Sequence, residues 1–173
     1  MADSIIPEDE TFPLVQIASF GGELTPIPIL AQARKRFPNA ILSIGFSSTE
    51  SVQAGFSCTI EPSQDLSKMD NLMFSPNANI EELILLDDEG RKLELLPGAS
   101  GRVCLKTRAS ADPYLYPPDD EETKAAAEDT FRKAKDGTPI VCLGDHVEYH
   151  EGHKVSVVMS DFRLSYYRLM WFV

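Results

Sequence analysis

The chain has 173 residues, of which 43% are hydrophobic and 25% charged, with 27 Asp and Glu against 16 Lys and Arg and a formal net charge of -11. That length fits one domain with a self-sufficient core, and the apolar fraction argues against wholesale disorder. A chain this acidic offers no footprint for a phosphate backbone, so nucleic-acid binding is disfavoured.

The first residues, Met1-Ala2-Asp3-Ser4-Ile5-Ile6-Pro7-Glu8-Asp9-Glu10, are neither a basic leader nor an apolar signal core, and no apolar run reaches the ~18–20 residues of a spanning helix. The expected setting is therefore cytoplasmic or nuclear, with no membrane span. Residues 1–11 are read as a flexible acidic tail and 12–173 as a single globular domain.

From Phe12 to Ser19 the chain reads as a strand ended by Gly21-Gly22. Residues 29–37 form a short helix stopped by Pro38-Asn39. Ala40 to Phe46 and Val52 to Ile60 are β-branched and aromatic, two strands around Ser47-Ser48-Thr49. A polar connection follows, anchored by Leu72, Met73 and Phe74. Leu83-Ile84-Leu85-Leu86, the acidic turn Asp87-Asp88-Glu89-Gly90 and Arg91 to Leu96 read as a hairpin. After Pro97-Gly98, Val103 and Leu105 alternate with Arg102, Cys104 and Lys106 as a third antiparallel strand.

A Pro-rich loop from Ala109 to Pro118 leads to a helix at about residues 120–135. Asp119 or Asp120 caps it, acidic residues fill its first turn, and Arg132, Lys133 and Lys135 its last, an order that suits the helix dipole. Glu128 with Arg132 and Asp129 with Lys133 have i,i+4 spacing. Strands are then expected at 140–143, 146–150, 154–160 and 162–173. The fold class is mainly β: an antiparallel β-sandwich or partly closed barrel of about nine strands, with one flanking helix and one short one.

All three histidines fall in Asp145-His146-Val147-Glu148-Tyr149-His150-Glu151-Gly152-His153. On a strand, His146, Glu148 and His150 share a face, and a two-residue turn at Glu151-Gly152 would set His153 opposite His150. Imidazoles with a carboxylate suit zinc, or iron and manganese, so a divalent metal is the one cofactor these residues suggest. The opposing reading is a solvated hairpin tip, with Val155 and Val157 on that same face. Cys58, Cys104 and Cys142, widely spaced in apolar runs, are expected to be reduced core residues; Cys142, four residues before His146, is the alternative thiol nucleophile.

Residues 162–173, Phe-Arg-Leu-Ser-Tyr-Tyr-Arg-Leu-Met-Trp-Phe-Val, hold no acidic group. They read as a covered central strand, or as an interface through Tyr166, Tyr167, Met170, Trp171 and Phe172. Residues 1–23 and 112–122 each hold five acidic groups and no basic one, leaving a nearly neutral body. Glycine-rich phosphate loops and nucleophile elbows are missing. These readings favour a non-enzymatic intracellular binding or scaffolding protein, with a protein partner or self-association through its carboxyl-terminal strand. A small metal-dependent enzyme using His146, Glu148, His150 and His153 comes next, and third a small-molecule carrier with a cavity between its sheets.

Overall fold

The computed structural model describes residues 10–22, 24–110 and 121–158. Among them are nine strands in two sheets, two α-helices and no closed barrel. This is the β-rich fold with a flanking helix that the residue patterns indicate. No helix among the described residues is long and apolar enough to cross a membrane.

The first sheet holds β1 (Ile17–Phe20), β2 (Ile41–Phe46), β3 (Phe56–Ile60) and β4 (Ser75–Pro76), in that order. β1 and β2 are parallel, with Ile17 beside Ile41 and Phe20 beside Ile44, and helix α1 (Ile27–Arg36) makes the crossover. An all-antiparallel arrangement therefore fails at its first pair, because the helix between β1 and β2 carries the chain back so that both strands run the same way. α1 starts two residues earlier than the sequence suggests, since Pro28 is favoured in the first turn of a helix. Its Leu30 and Ala33 are buried, and Arg34, Lys35 and Arg36 lie at its carboxyl end. β1 is an edge strand, with Ile17 61% exposed and nearby Leu14 92% exposed.

The second sheet runs β5 (Glu82–Leu86), β6 (Ser100–Lys106), β8 (Pro139–His150) and β7 (Phe131–Lys133), with β9 (Lys154–Val157) also paired to β8. Residues 91–96 do not form the second arm of a hairpin. Leu86 bridges Lys92 and the Leu93 N–H donates to the Leu85 carbonyl, and then the chain leaves the sheet. Helix α2 (Glu121–Thr130) ends five residues before the expected limit, because Phe131–Lys133 pairs with β8 instead. Ladder pairing outweighs helical propensity at these positions. The i,i+4 pairs expected on α2 give way accordingly, as Asp129 binds Arg102 and Arg132.

One apolar cluster fills the space between the sheets. Leu42, Ile44, Phe56, Cys58 and Ile60 from the first meet Leu83, Leu85, Val103, Leu105, Val147, Tyr149 and Val155 from the second. Phe74, fully buried, bridges Val155 and couples the two sheets. A smaller cluster of Ile84, Leu86, Cys104 and Cys142, with Ile140 against it, lies on the other face of the second sheet. There Cys104 and Cys142 form a disulfide, which corrects the expectation of three reduced core cysteines. Cys58 is free and buried, and burial pushes its thiol pKa up. The carboxyl-terminal candidates Tyr166, Tyr167, Met170, Trp171 and Phe172 lie outside the described residues, as does the acidic tail up to residue 9.

Candidate functional site

Two features stand out against the regular strands. The first lies where the parallel strands end. β1 runs into Gly21-Gly22 and β2 into Ser47-Ser48-Thr49-Glu50-Ser51, so both loops leave the carboxyl edge of the same parallel pair. That edge is where open α/β sheets place their ligands. Gly21 and Gly45 sit side by side, each with its nearest non-neighbour backbone atom 3.9 Å from where a Cβ would stand, leaving main chain open to close approach.

The loop after β2 is tightly built. The Ser51 hydroxyl donates to the Ser48 carbonyl (3.0 Å) and accepts from the Ser48 N–H (3.2 Å), which closes the turn. Gly55 returns the chain at a point where a Cβ would stand 2.7 Å from Ser47 Cβ and 2.8 Å from the Phe46 carbonyl, so no larger residue fits unchanged. Val52 holds a φ of 51° while 55% exposed, a costly conformation for a β-branched residue. The Ser48 hydroxyl is buried with no hydrogen-bond partner among the described residues. Phe46 flanks the loop, stacked on Phe56 with ring centroids 5.5 Å apart and edge-on to Phe74 at 5.9 Å. The result is a pre-shaped, hydroxyl-rich loop beside open glycine backbone.

The second feature interrupts β8. Arg102 faces His146 and Cys104 faces Cys142, so Val103 alone stands opposite Leu143, Gly144 and Asp145. Two extra residues form a bulge, which Gly144 makes with a φ of 80°. The sequence pattern splits β8 in two at this point, and the structure joins the halves through the bulge. Asp145 is half-buried, and desolvation raises its carboxyl pKa, opposed only by the charge of neighbouring His146. No donor among the described residues satisfies it. A partly desolvated carboxylate without a donor is an acceptor suited to a ligand's hydroxyl or amine.

Beside it, Asp87, Asp88, Glu89, Gly90, Arg102, Asp129, Arg132 and His146 line a surface cleft of about 450 Å³. Its charges largely satisfy one another. Asp129 accepts from Arg102 through two nitrogens and from Arg132 at 2.5 Å, and those bonds, the Arg102 bond foremost, hold its pKa down at about 2. Asp87 accepts from the N–H of Arg91 and of Glu89 and from the Arg91 guanidinium, so its pKa is lowered as well.

The histidine candidates separate. His146 approaches Asp88 at 3.7 Å in the cleft. His150 lies 3.9 Å from Glu148 and shares a 2.8 Å hydrogen bond with the Ser156 hydroxyl. The turn has three residues, Glu151–His153, so His150 pairs with Lys154 and not with His153. His153 instead meets the Tyr149 hydroxyl at 3.1 Å. Glu148 faces Ser156, and Val155 faces Tyr149 on the core side, so the expected four-ligand face does not form. Among the described residues no group of three or more His, Cys, Asp or Glu is placed to hold a metal ion. Glu148, His150 and Ser156 have the order of a catalytic triad, but the 3.9 Å gap exceeds a hydrogen bond and Ser156 is buried. Sequence reading passed over Asp145 and Ser48. The Leu143-Gly144-Asp145 break between two strand patterns was the available signal for the first, and the second left none.

No protein-family model matches the chain. It is 28% identical over 142 residues to the uncharacterized protein C162.02c of Schizosaccharomyces pombe, a match covering 82% of this chain and 14% of that protein. Among solved structures it resembles IdnL1 (TM-score 0.67, 21% identity, 86% of this chain and 29% of that one). It is similar to the same degree to the adenylation domain AlmE of Vibrio cholerae in complex with glycyl-adenosine-5'-phosphate (TM-score 0.67, 16% identity, 84% and 26%). PA1221, an NRPS protein containing adenylation and PCP domains, matches with a TM-score of 0.63 at 20% identity over 83% of this chain and 24% of that one. The chain thus spans less than a third of each of these proteins. The likeness overturns the expectation of a non-enzymatic binding or scaffolding protein that oligomerises through its carboxyl-terminal strand, because this architecture is one that adenylation domains contain.

Proposed function

We propose that the chain is a segment of an adenylation-type unit and supplies part of its adenylate-binding surface. The observation that carries this reading is the shared architecture with AlmE, whose structure holds a glycyl adenylate. The chemistry of such a ligand suits the two features described above. Its phosphoryl group is an anion that accepts hydrogen bonds, and the loop from Ser47 to Ser51 offers hydroxyls and main-chain N–H groups beside open glycine backbone. Its ribose hydroxyls are donors, and Asp145 is a carboxylate that lacks one. Both features lie at breaks in otherwise regular strands, where a β-bulge or a strained turn re-aims side chains.

The test is calorimetric titration of the 173-residue chain with adenosine 5'-monophosphate and with a glycyl sulfamoyl adenosine, a hydrolysis-resistant adenylate mimic. Because the chain spans less than a third of these neighbours, the expected affinity is weak, with a Kd of about 1 mM, or ~4 kcal/mol. Asp145→Ala should remove the binding while leaving the circular dichroism spectrum unchanged. No saturable binding of either compound, or equal binding by the variant, would overturn the proposal.

A further inference from the structure

The Cys104–Cys142 disulfide occupies a telling position. The two residues are directly opposed across β6 and β8, with Cα atoms 3.9 Å apart, and Leu143, the first residue of the bulge, follows Cys142 directly. On the far side of the bulge the next pair in the ladder is Arg102 with His146. The bulge is therefore suspended between one covalent rung and one ladder pair, and Asp145 hangs within it.

The bond is also buried. Arg102, Cys104 and Lys106 alternate along β6 and so share a face. Arg102 is bound to Asp129 at the end of α2, and Lys106 to Asp136 beyond β7 (2.6 Å). The α2–β7 segment is thus fastened on both sides of the disulfide and packs on β8. Both cysteines are buried, Cys104 at 0% and Cys142 at 5% exposure. Attack on a disulfide requires access of a thiolate to sulfur. Reduction here therefore requires the cover over the two sulfurs to open.

From this geometry we infer that Cys104–Cys142 is a thiol-reducible staple that sets the rigidity of the Leu143–Asp145 bulge. The chemistry is an exchange with a dithiol. One thiolate of the dithiol attacks a cystine sulfur and releases the other cysteine as a thiolate. The second dithiol sulfur then closes on the mixed disulfide, leaving a cyclic disulfide and two reduced cysteines that take up the two protons. Two electrons pass from dithiol to cystine. With the rung open, three residues on β8 face a single residue on β6 with no covalent limit, and the bulge exchanges among conformations.

The experiment uses the full chain. Protein unfolded at lysis in alkylating agent without reductant should carry one alkyl group, on Cys58, and three when dithiothreitol is added first. Amide hydrogen exchange at Leu143, Gly144 and Asp145 should then rise by about tenfold on reduction while the core strands keep their protection. The double variant Cys104→Val with Cys142→Ala, which keeps the site apolar, should exchange at the bulge like the reduced protein whether or not dithiol is present. Three thiols before reduction, unchanged exchange at the bulge after it, or loss of protection across the whole chain would each overturn the inference. The consequence for ligands rests on the adenylate reading: binding of adenosine 5'-monophosphate should weaken on reduction. If neither redox form binds it while the exchange result stands, the adenylate reading fails and the staple does not.

Discussion

The two sheets solve the same problem with different means. The first, with its parallel β1–α1–β2 unit, is held, among the described residues, by apolar packing and by hydrogen bonds from Arg34 to main-chain carbonyls. Arg34 on α1 reaches the carbonyls of Ala40, Ile60 (3.1 Å) and Glu61 (3.0 Å), tying the helix to the start of β2 and the end of β3. The second is tied on its outer face by a covalent rung and by Arg102–Asp129, Arg132–Asp129, Lys106–Asp136 and Lys92–Glu82. A parallel pair needs a long connection and puts its loops at one edge, where this protein builds its hydroxyl-rich turn. An antiparallel meander has one free face, and here that face carries the side-chain ties. The difference implies that the first sheet should respond to volume and main-chain changes and the second to pH, salt and redox state.

The seam shared by both should show the largest effect. Phe74 is fully buried, contacts Phe46 edge-on and bridges Val155. Phe74→Ala should cost about 3–5 kcal/mol, read as a lowered urea midpoint, because the ring leaves a cavity between two sheets that cannot both close on it. A loss below ~1 kcal/mol would mean that the sheets are stable independently.

Next comes the clamp within the first sheet. Burial lowers the Arg34 pKa, and its Nε is buried without a hydrogen-bond partner among the described residues, so the residue already bears a desolvation penalty. Arg34→Met keeps the aliphatic stem but leaves three carbonyls without their donor. The expected loss is about 2–3 kcal/mol, since charge-assisted bonds are replaced by unmet acceptors. Arg34→Lys should recover only part of it, because an ammonium does not span the same three acceptors in a plane. In the loop above, Gly55→Ala should cost about 1–2 kcal/mol through its clash with Ser47 and the Phe46 carbonyl. If the proposed adenylate reading holds it should also weaken that binding, whereas Val52→Gly should relieve strain and raise the melting temperature.

How far the residues announced this arrangement differs between the sheets as well. The second sheet was legible where alternation is strict: Val103 and Leu105 do face the core, with Cys104 on the other side. Its failures came where tertiary pairing competes with local preference. Phe131–Lys133 continues a good helical pattern yet adds to β8, and Arg91–Leu96 alternates yet leaves the ladder. The first sheet misled because the direction of a strand has no local signature. Only the helix between β1 and β2 hinted at a parallel pair. The candidate site was least legible. His146, Glu148, His150 and His153 drew attention by proximity in sequence, but the three-residue turn and the alternation of β8 send them to different partners. Asp145 became visible only through the register, which leaves two extra residues on β8 at that point.

The smallest effect tests the electrostatic side of the comparison. Asp129 has its pKa lowered to about 2 by its bonds to Arg102 and Arg132. A carboxylate with a depressed folded pKa contributes stability that is present above its unfolded value of ~3.9 and is lost as pH falls through ~2. The side chain is nearly half exposed, so solvent screening reduces the contribution to less than ~1 kcal/mol. Asp129→Asn should therefore lower stability slightly at neutral pH, and the wild-type and variant curves should converge between pH 4 and 2. Raising the salt concentration should narrow their difference at pH 7, since partly exposed ion pairs are screened. The Arg34→Met difference should instead persist in salt, because its acceptors are neutral carbonyls. Equal salt sensitivity in both variants would erase the distinction between the two sheets.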